Sequence, residues 1–164
     1  MKQLFIVRHA KAVPYGYEDD YTRDLTERGE RDAEKVSRAL LHKGLVPDLL
    51  ITSPASRALQ TAKIFAGTFS YPLLQLQKEE NLYMEFTSAD FFDFLSGIDN
   101  RFQTVGVFGH NPGVSYFAGS LLDRFNEALP TCGTVVIEFA IDRWVDLQPR
   151  SGRKVLQLFP KTLG

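Results

Sequence analysis

Three short apolar segments, each followed directly by polar residues and then by a helical pattern, constrain this fold most. They cover residues 4–7, 48–52 and 104–109. Runs of this length and composition are typical of buried strands. The helical patterns cover residues 26–43, 55–69, 88–97 and 112–124. Strands that alternate with helices in this way predict an α/β fold built on a mostly parallel sheet.

Three further segments complete the predicted sheet. A short strand is expected over residues 73–76. A β-branched run over residues 134–141 is expected to pair with residues 154–159 across a turn at residues 149–152. These last two strands would form an antiparallel edge. The prediction is a three-layer α/β/α sandwich, and a length of 164 residues suits a single domain over residues 1–164.

Composition narrows the function classes. The net charge is −1 and 24% of the residues are charged, so neither a nucleic-acid nor a membrane partner is expected. The amino-terminal apolar stretch is too short for the core of a signal peptide. Cys132 is the single cysteine, which excludes an intramolecular disulfide and favours a reducing, cytoplasmic location. A cysteine-phosphatase motif C-x5-R would need arginine at position 138, where the chain has Glu138.

Arginine and histidine side chains follow the three apolar segments. Arg8 and His9 come directly after the first, Arg57 lies at the start of the helix after the second, and His110 follows the third. Each residue taken singly suits a plain structural role. However, the carboxyl ends of parallel strands meet at one edge of a sheet, where ligands of α/β proteins bind. The guanidinium group of arginine can donate two parallel hydrogen bonds to phosphate oxygens, and histidine can act as a nucleophile. The convergence of these side chains therefore predicts an anion-binding site that contains a nucleophile.

The motifs around these residues resemble a known family. R-H-A at residue 8, S-P-x-x-R-A-x-Q-T-A at residue 53 and G-H-N-P at residue 109 are similar to the signatures of the histidine phosphatase superfamily, which has the phosphoglycerate-mutase-like fold. The small size, R-D-L-T-x-x-G at residues 23–29 and the terminal F-P-K-T-L resemble its branch of short phosphohistidine phosphatases (SixA-like). The resemblance covers nearly the whole chain.

The resemblance implies a mechanism and roles. His9 would attack phosphorus and carry the phosphoryl group, while Arg8, Arg57 and His110 would hold its oxygens. Arg23 would be a further phosphate contact, or alternatively a surface cation beside Asp24. Neighbouring arginines would keep His9 unprotonated. No metal or cofactor is expected; the substrate would be phosphorylated, with a phosphohistidine-bearing protein as one candidate, and inorganic phosphate would be the product.

The general acid is the open point of the mechanism. Many members of the superfamily protonate the leaving oxygen with a carboxylate after the second motif, where this chain offers Glu80. An alternative alignment places Asn81 there, which would make alkyl phosphates slow substrates. The acidic run Glu18-Asp19-Asp20 supplies fallback donors, although a solvated charge run is its simpler interpretation.

Three alternative functions stay open beside a phosphohistidine phosphatase. A small-molecule phosphomonoesterase would use the same residues, and so would a phosphoglycerate-type mutase, which the short chain disfavours. A third alternative is an inactive phosphate-binding or interaction module, for which a nucleophile is not needed. Residues 11–28 and 81–90 are expected to determine specificity.

Overall fold

The computed structural model describes residues 1–14, 19–83 and 86–163. Its centre is a six-stranded sheet with the spatial order β3-β2-β4-β1-β5-β6. The strands are β1 Lys2–Arg8, β2 Leu49–Thr52, β3 Gln77–Lys78, β4 Thr104–Gly109, β5 Thr134–Phe139 and β6 Arg153–Leu158. The pairs β2–β3, β2–β4 and β1–β4 are parallel, whereas β1–β5 and β5–β6 are antiparallel. The predicted parallel sheet with an antiparallel edge is confirmed.

Helices cover both faces of this sheet. They are α1 Glu27–His42, α2 Ser56–Thr68, α3 Ser88–Ser96 and α4 Gly113–Leu121. Alternate side chains of β1 point to opposite faces. Phe5 and Val7 belong to a buried cluster with residues of α1 and α2, whereas Leu4 and Ile6 belong to a second cluster with residues of α3 and α4. The predicted three-layer α/β/α sandwich is therefore confirmed. No helix in residues 1–14, 19–83 and 86–163 has the length and hydropathy of a membrane-spanning segment.

The start of α1 is bonded to the connection between β1 and α1, which we call the early loop. Thr26 is the N-cap, and its Oγ1 accepts a hydrogen bond from the Gly29 N–H at 3.0 Å. The Thr26 N–H donates to the Lys11 carbonyl oxygen at 2.9 Å. A Cβ on Gly29 would overlap that same carbonyl, so only glycine lets the loop pass this close. These contacts explain in physical terms why the chain carries T-x-x-G here.

Three predicted elements were wrong in detail. The expected strand over residues 73–76 is a 3-10 helix, Leu73–Gln75, and β3 follows it. Leu73 and Leu74 are exposed there, so no burial holds them in an extended strand. The helix expected to reach residue 124 ends at Leu121, because Leu122 is extended and bridges to Gly152. The polar stretch 11–28 also predicts a long loop before the helix, but it contains a 3-10 helix, Asp20–Thr22.

Substitution of Gly29 tests the close contact between α1 and the early loop. Gly29→Ala should lower the free energy of unfolding by about 1–3 kcal/mol, because the Lys11 backbone must move. Urea unfolding followed by circular dichroism measures the change.

The matched control is Gly67→Ala in α2. No atom lies within 4 Å of a Cβ built on Gly67, so the variant should gain roughly 0.5–1 kcal/mol from helix propensity. Equal effects of the two substitutions would contradict the assigned contact.

Candidate active site

The pairing of β1 with β4 brings the two histidines together. Arg8 lies opposite Gly109 in the register, and the His9 N–H donates to the Gly109 carbonyl oxygen at 3.0 Å. His110 follows Gly109 directly. The two imidazole rings lie 5.2 Å apart, centroid to centroid, with their planes inclined by 52°. Arg57, in the first turn of α2, completes the group of four side chains that the sequence predicts to converge.

A hydrogen bond to the backbone occupies one of the two ring nitrogens of His9. Its Nδ1 lies 2.8 Å from the Ala10 carbonyl oxygen, which can only accept, so Nδ1 carries the proton. The lone pair is therefore on Nε2. Burial, followed by the charges of Arg57 and Arg8, lowers the His9 pKa to about 4, although the bond to Ala10 opposes the shift. His9 is thus a neutral imidazole with a lone pair for attack at physiological pH.

His110 is also neutral. Burial lowers its pKa to about 3, and the neighbouring His9 and Arg57 contribute to the shift in the same direction. Its Nε2 lies 2.8 Å from the Ser53 Oγ. A neutral imidazole has a single N–H, so this side chain can assist an anion only as a hydrogen-bond donor.

Three buried nitrogen atoms have no hydrogen-bond partner among the described residues: Arg8 Nε, Arg57 Nε and His110 Nδ1. Buried donors without partners cost free energy and are rare in folded proteins. Other nitrogens of these groups are bonded: Arg8 Nη1 donates to the Leu129 carbonyl at 3.0 Å, and Arg57 donates from Nη1 to the Asp20 carbonyl at 2.7 Å and from Nη2 to Asp20 Oδ2 at 3.1 Å. An oxyanion at this place would satisfy the two Nε–H donors, and also His110 Nδ1 if that nitrogen carries the ring proton.

Asp20 links the early loop to this site, a role that the sequence analysis missed. It was considered there only as a fallback proton donor. Its Oδ2 accepts from Arg57 Nη2 at 3.1 Å and from the Tyr83 hydroxyl at 3.0 Å, and its Oδ1 accepts from Arg23 Nε at 3.0 Å. Burial would raise its pKa, but the bond from Tyr83 and the Arg57 charge outweigh burial and lower it. Asp20 is therefore ionised.

Arg23 is connected to the four central side chains through Asp20. It donates to Asp20 and, from Nη1, to the Val13 carbonyl at 2.9 Å. Asp24 instead accepts from Gln60 Nε2 at 2.7 Å. The Arg23 charge also contributes to the low pKa of His9, after burial and the charges of Arg57 and Arg8. A direct phosphate contact by Arg23 stays a prediction.

Glu80, Asn81 and Asp19 have no hydrogen bond to the four central side chains among the described residues, whereas Asp20 is bonded to Arg57. Glu80 is exposed in a 3-10 helix, Glu80–Leu82, and Asn81 Nδ2 donates to Glu79 Oε1 at 3.1 Å. Asp19 caps the turn that contains Asp20. Glu18 lies outside the described residues. The role of Glu80 as the general acid stays a prediction.

Tyr83 and Ser53 also belong to the site, and the sequence analysis assigned them no role. The Tyr83 ring meets the His110 ring edge to face, with centroids 5.6 Å apart. Ser53 is fully buried beneath His110. Ser53 lies within the S-P-x-x-R motif, but nothing in that motif shows which side chain its hydroxyl contacts. In the described ranges no three His, Cys, Asp or Glu residues are grouped as metal ligands.

Comparison with known proteins assigns the family. The model of the histidine phosphatase superfamily (branch 1) matches residues 4–85, half of the chain. The chain belongs to the histidine phosphatase superfamily. A solved structure of the protein histidine phosphatase SixA, complexed with tungstate, has a TM-score of 0.84 and 21% identity over 99% of both chains. The predicted likeness to SixA is thereby confirmed in the fold.

Two known proteins are similar to this chain in sequence. An uncharacterised chloroplastic protein of Arabidopsis thaliana is 26% identical over 173 residues, which cover 92% of this chain and 72% of that protein. A 2,3-bisphosphoglycerate-dependent phosphoglycerate mutase of Beijerinckia indica is 33% identical over 102 residues. That match covers 58% of this chain and 45% of the mutase.

The two neutral histidines predict how stability depends on pH. Both pKa values lie below 6.5 in the folded state, so the unfolded chain takes up protons first. Stability should be full above about pH 6.5 and be lost as the pH falls toward 4 and then 3, by up to about 1.4 kcal/mol per pH unit for each histidine. Urea unfolding at pH 7, 5.5 and 4.5 measures this slope.

A variant separates the site histidines from the carboxylates that also titrate in acid. His110→Asn should reduce the loss of stability between pH 7 and 4.5, because one buried group no longer needs a proton. The control His42→Asn replaces an exposed histidine and should keep the wild-type slope. A slope unchanged in His110→Asn would show that His110 does not contribute.

Proposed function

We propose that this member of the histidine phosphatase superfamily is a metal-independent phosphatase whose nucleophile is His9 and whose substrate is phosphohistidine in proteins. The main supporting observation is a free Nε2 lone pair on His9 beside Arg8, Arg57 and His110, each of which has one buried nitrogen without a partner among the described residues. The tungstate bound by the SixA neighbour supports an oxyanion-binding role, because tungstate is a tetrahedral oxyanion like phosphate.

The reaction would proceed in two displacements. His9 Nε2 attacks phosphorus, forming an N–P bond while the bond to the leaving atom breaks and its electron pair departs with the leaving group. Water then attacks the phosphorus of phosphorylated His9, the N–P bond breaks, and inorganic phosphate is released. Arg8, Arg57 and His110 donate to the phosphoryl oxygens and stabilise their charge, which is the largest contribution in this chemistry.

The described carboxylates favour a leaving group that needs no acid from the protein. Asp20 is ionised and Glu80 is exposed, so neither is a ready proton donor at the phosphoryl group. An alkoxide leaving group needs such a donor. Phosphohistidine does not, since a ring that carries a proton on its second nitrogen departs as neutral imidazole. This difference supports phosphohistidine as the substrate.

A small-molecule phosphomonoesterase is the second candidate. Its support is the fold, which the chain shares at a TM-score of 0.66 with a mycobacterial glucosyl-3-phosphoglycerate phosphatase. A phosphoglycerate-type mutase would transfer the phosphoryl group between positions of one substrate and release no free phosphate. Phosphate release from a phosphohistidine peptide and from phosphoglycerate separates the three functions.

Replacement of the nucleophile tests the proposal. Wild type in excess EDTA should release p-nitrophenol from p-nitrophenyl phosphate and phosphate from a phosphohistidine peptide. His9→Ala should lower both rates by roughly 1,000-fold or more, because the attacking Nε2 atom is removed. Phosphate release and absorbance assays measure the two reactions.

The control is His42→Ala, which removes an exposed histidine and should keep wild-type turnover. Equal activity in His9→Ala and wild type would show that His9 is not the nucleophile. Loss of activity in EDTA would contradict metal independence. Binding of phosphate without turnover of either substrate would favour an inactive phosphate-binding module.

A further inference from the structure

The two nitrogens of His110 have different surroundings. Nε2 lies 2.8 Å from the Ser53 Oγ, whereas Nδ1 is buried and has no partner in the described part of the chain. A neutral imidazole carries one proton, on one nitrogen or the other. If the Ser53 hydroxyl donates to Nε2, the imidazole proton must lie on Nδ1. If it accepts from Nε2, Nδ1 carries a lone pair instead.

The other hydrogen bonds of Ser53 determine which atom donates in its contact with His110 Nε2. Ser53 is fully buried, and its Oγ accepts a hydrogen bond from the Ala55 N–H at 3.2 Å. The Ser53 carbonyl is engaged separately, by the Thr52 hydroxyl at 2.9 Å. A hydroxyl has one hydrogen to donate. Among the described contacts of this hydroxyl, His110 Nε2 is the atom that can accept it.

We propose that Ser53 is a positioning residue that fixes the tautomer of His110. Its hydroxyl donates to Nε2, the imidazole proton is held on Nδ1, and the Nδ1–H donates to an oxygen of the phosphoryl group. The last step rests on the proposed function, whereas the tautomer itself does not. The opposite tautomer would present a lone pair at Nδ1, which repels a phosphoryl oxygen instead of binding it.

The surroundings of His110 explain why a neighbouring residue has to fix its tautomer. Arg57 and Arg23 provide positive charges near His110, and His9 lies 5.2 Å away, centroid to centroid. Burial first, and then His9 and Arg57, lower the pKa of His110 against the opposing charge of Asp20. The ring is therefore neutral and cannot donate from both nitrogens as an imidazolium would. The donor toward the phosphoryl group then depends on a hydrogen bond on the far side of the ring.

The direct test is nuclear magnetic resonance of the full chain labelled with ¹⁵N-histidine at pH 7. The His110 resonances of wild type should be those of a ring protonated at Nδ1. Ser53→Ala should shift them toward the Nε2–H form, and Ser53→Thr, which keeps the hydroxyl, should restore the wild-type pattern. An Nε2–H ring in wild type, or no change in Ser53→Ala, would overturn the proposal.

Kinetics adds a second measurement. Ser53→Ala should lower kcat/KM for p-nitrophenyl phosphate by roughly 10- to 100-fold, part of the cost of removing one oxyanion donor. The matched control is Ser37→Ala, which removes another buried hydroxyl, bonded to Thr68 Oγ1 at 2.8 Å. Thr68 is the last residue of α2, whereas Arg57 lies in the first turn of that helix. Ser37→Ala should keep both the tautomer and kcat/KM, and a change in either would reduce the Ser53 effect to a loss of packing.

The two measurements separate the two proposals. A wild type that turns over no substrate, yet whose His110 is protonated at Nδ1 only when Ser53 is present, would contradict the proposed function and support the role of Ser53. Normal turnover in a Ser53→Ala protein whose tautomer has shifted would contradict the donation from Nδ1 to the phosphoryl group.

Discussion

The parallel hydrogen bonding between β1 and β4 determines where the two histidines lie. Arg8 pairs with Gly109, so the strands end at the same level and His9 and His110 leave the sheet side by side. The Cys132 N–H adds a bond from the other flank, donating to the His9 carbonyl oxygen at 2.9 Å. The nucleophile is thus held by backbone bonds from both neighbouring segments, and its position does not depend on a mobile side chain.

The site concentrates positive charge and unpaired donors, and both oppose folding. Arg57 is 6% exposed, yet its Nε has no partner in the described ranges. Asp20 offsets part of this cost through its bonds to Arg57 and Arg23. The ionised Asp20 carboxylate fixes Arg57 through Nη2 and Arg23 through Nε, while the Nε atoms of Arg57 and Arg8 stay available to an anion. Such preorganised donors need little rearrangement when charge develops on a phosphoryl group.

The sequence was sufficient for five of the six strands and for the placement of the four central residues at the sheet edge, because both depend on local patterns. Apolar runs specify strands, parallel strands end at a common edge, and Arg8, His9, Arg57 and His110 each lie within a few residues of such an end. Asp20, Tyr83 and Ser53 depend instead on contacts between distant segments. Asp20 and Tyr83 are 63 positions apart, and their hydrogen bond forms only once the segment around Asp20 meets the 3-10 helix that follows β3.

Phosphorylation of His9 is the central claim, and rapid acid-free quenching of the enzyme with ³²P-labelled substrate tests it most directly. The account predicts that label accumulates within one turnover on a single histidine, in a bond that is labile to acid and stable to base, and that peptide mapping places it at His9. Labelled phosphate released with no labelled protein at any time in the turnover, or label on another residue, would contradict the account.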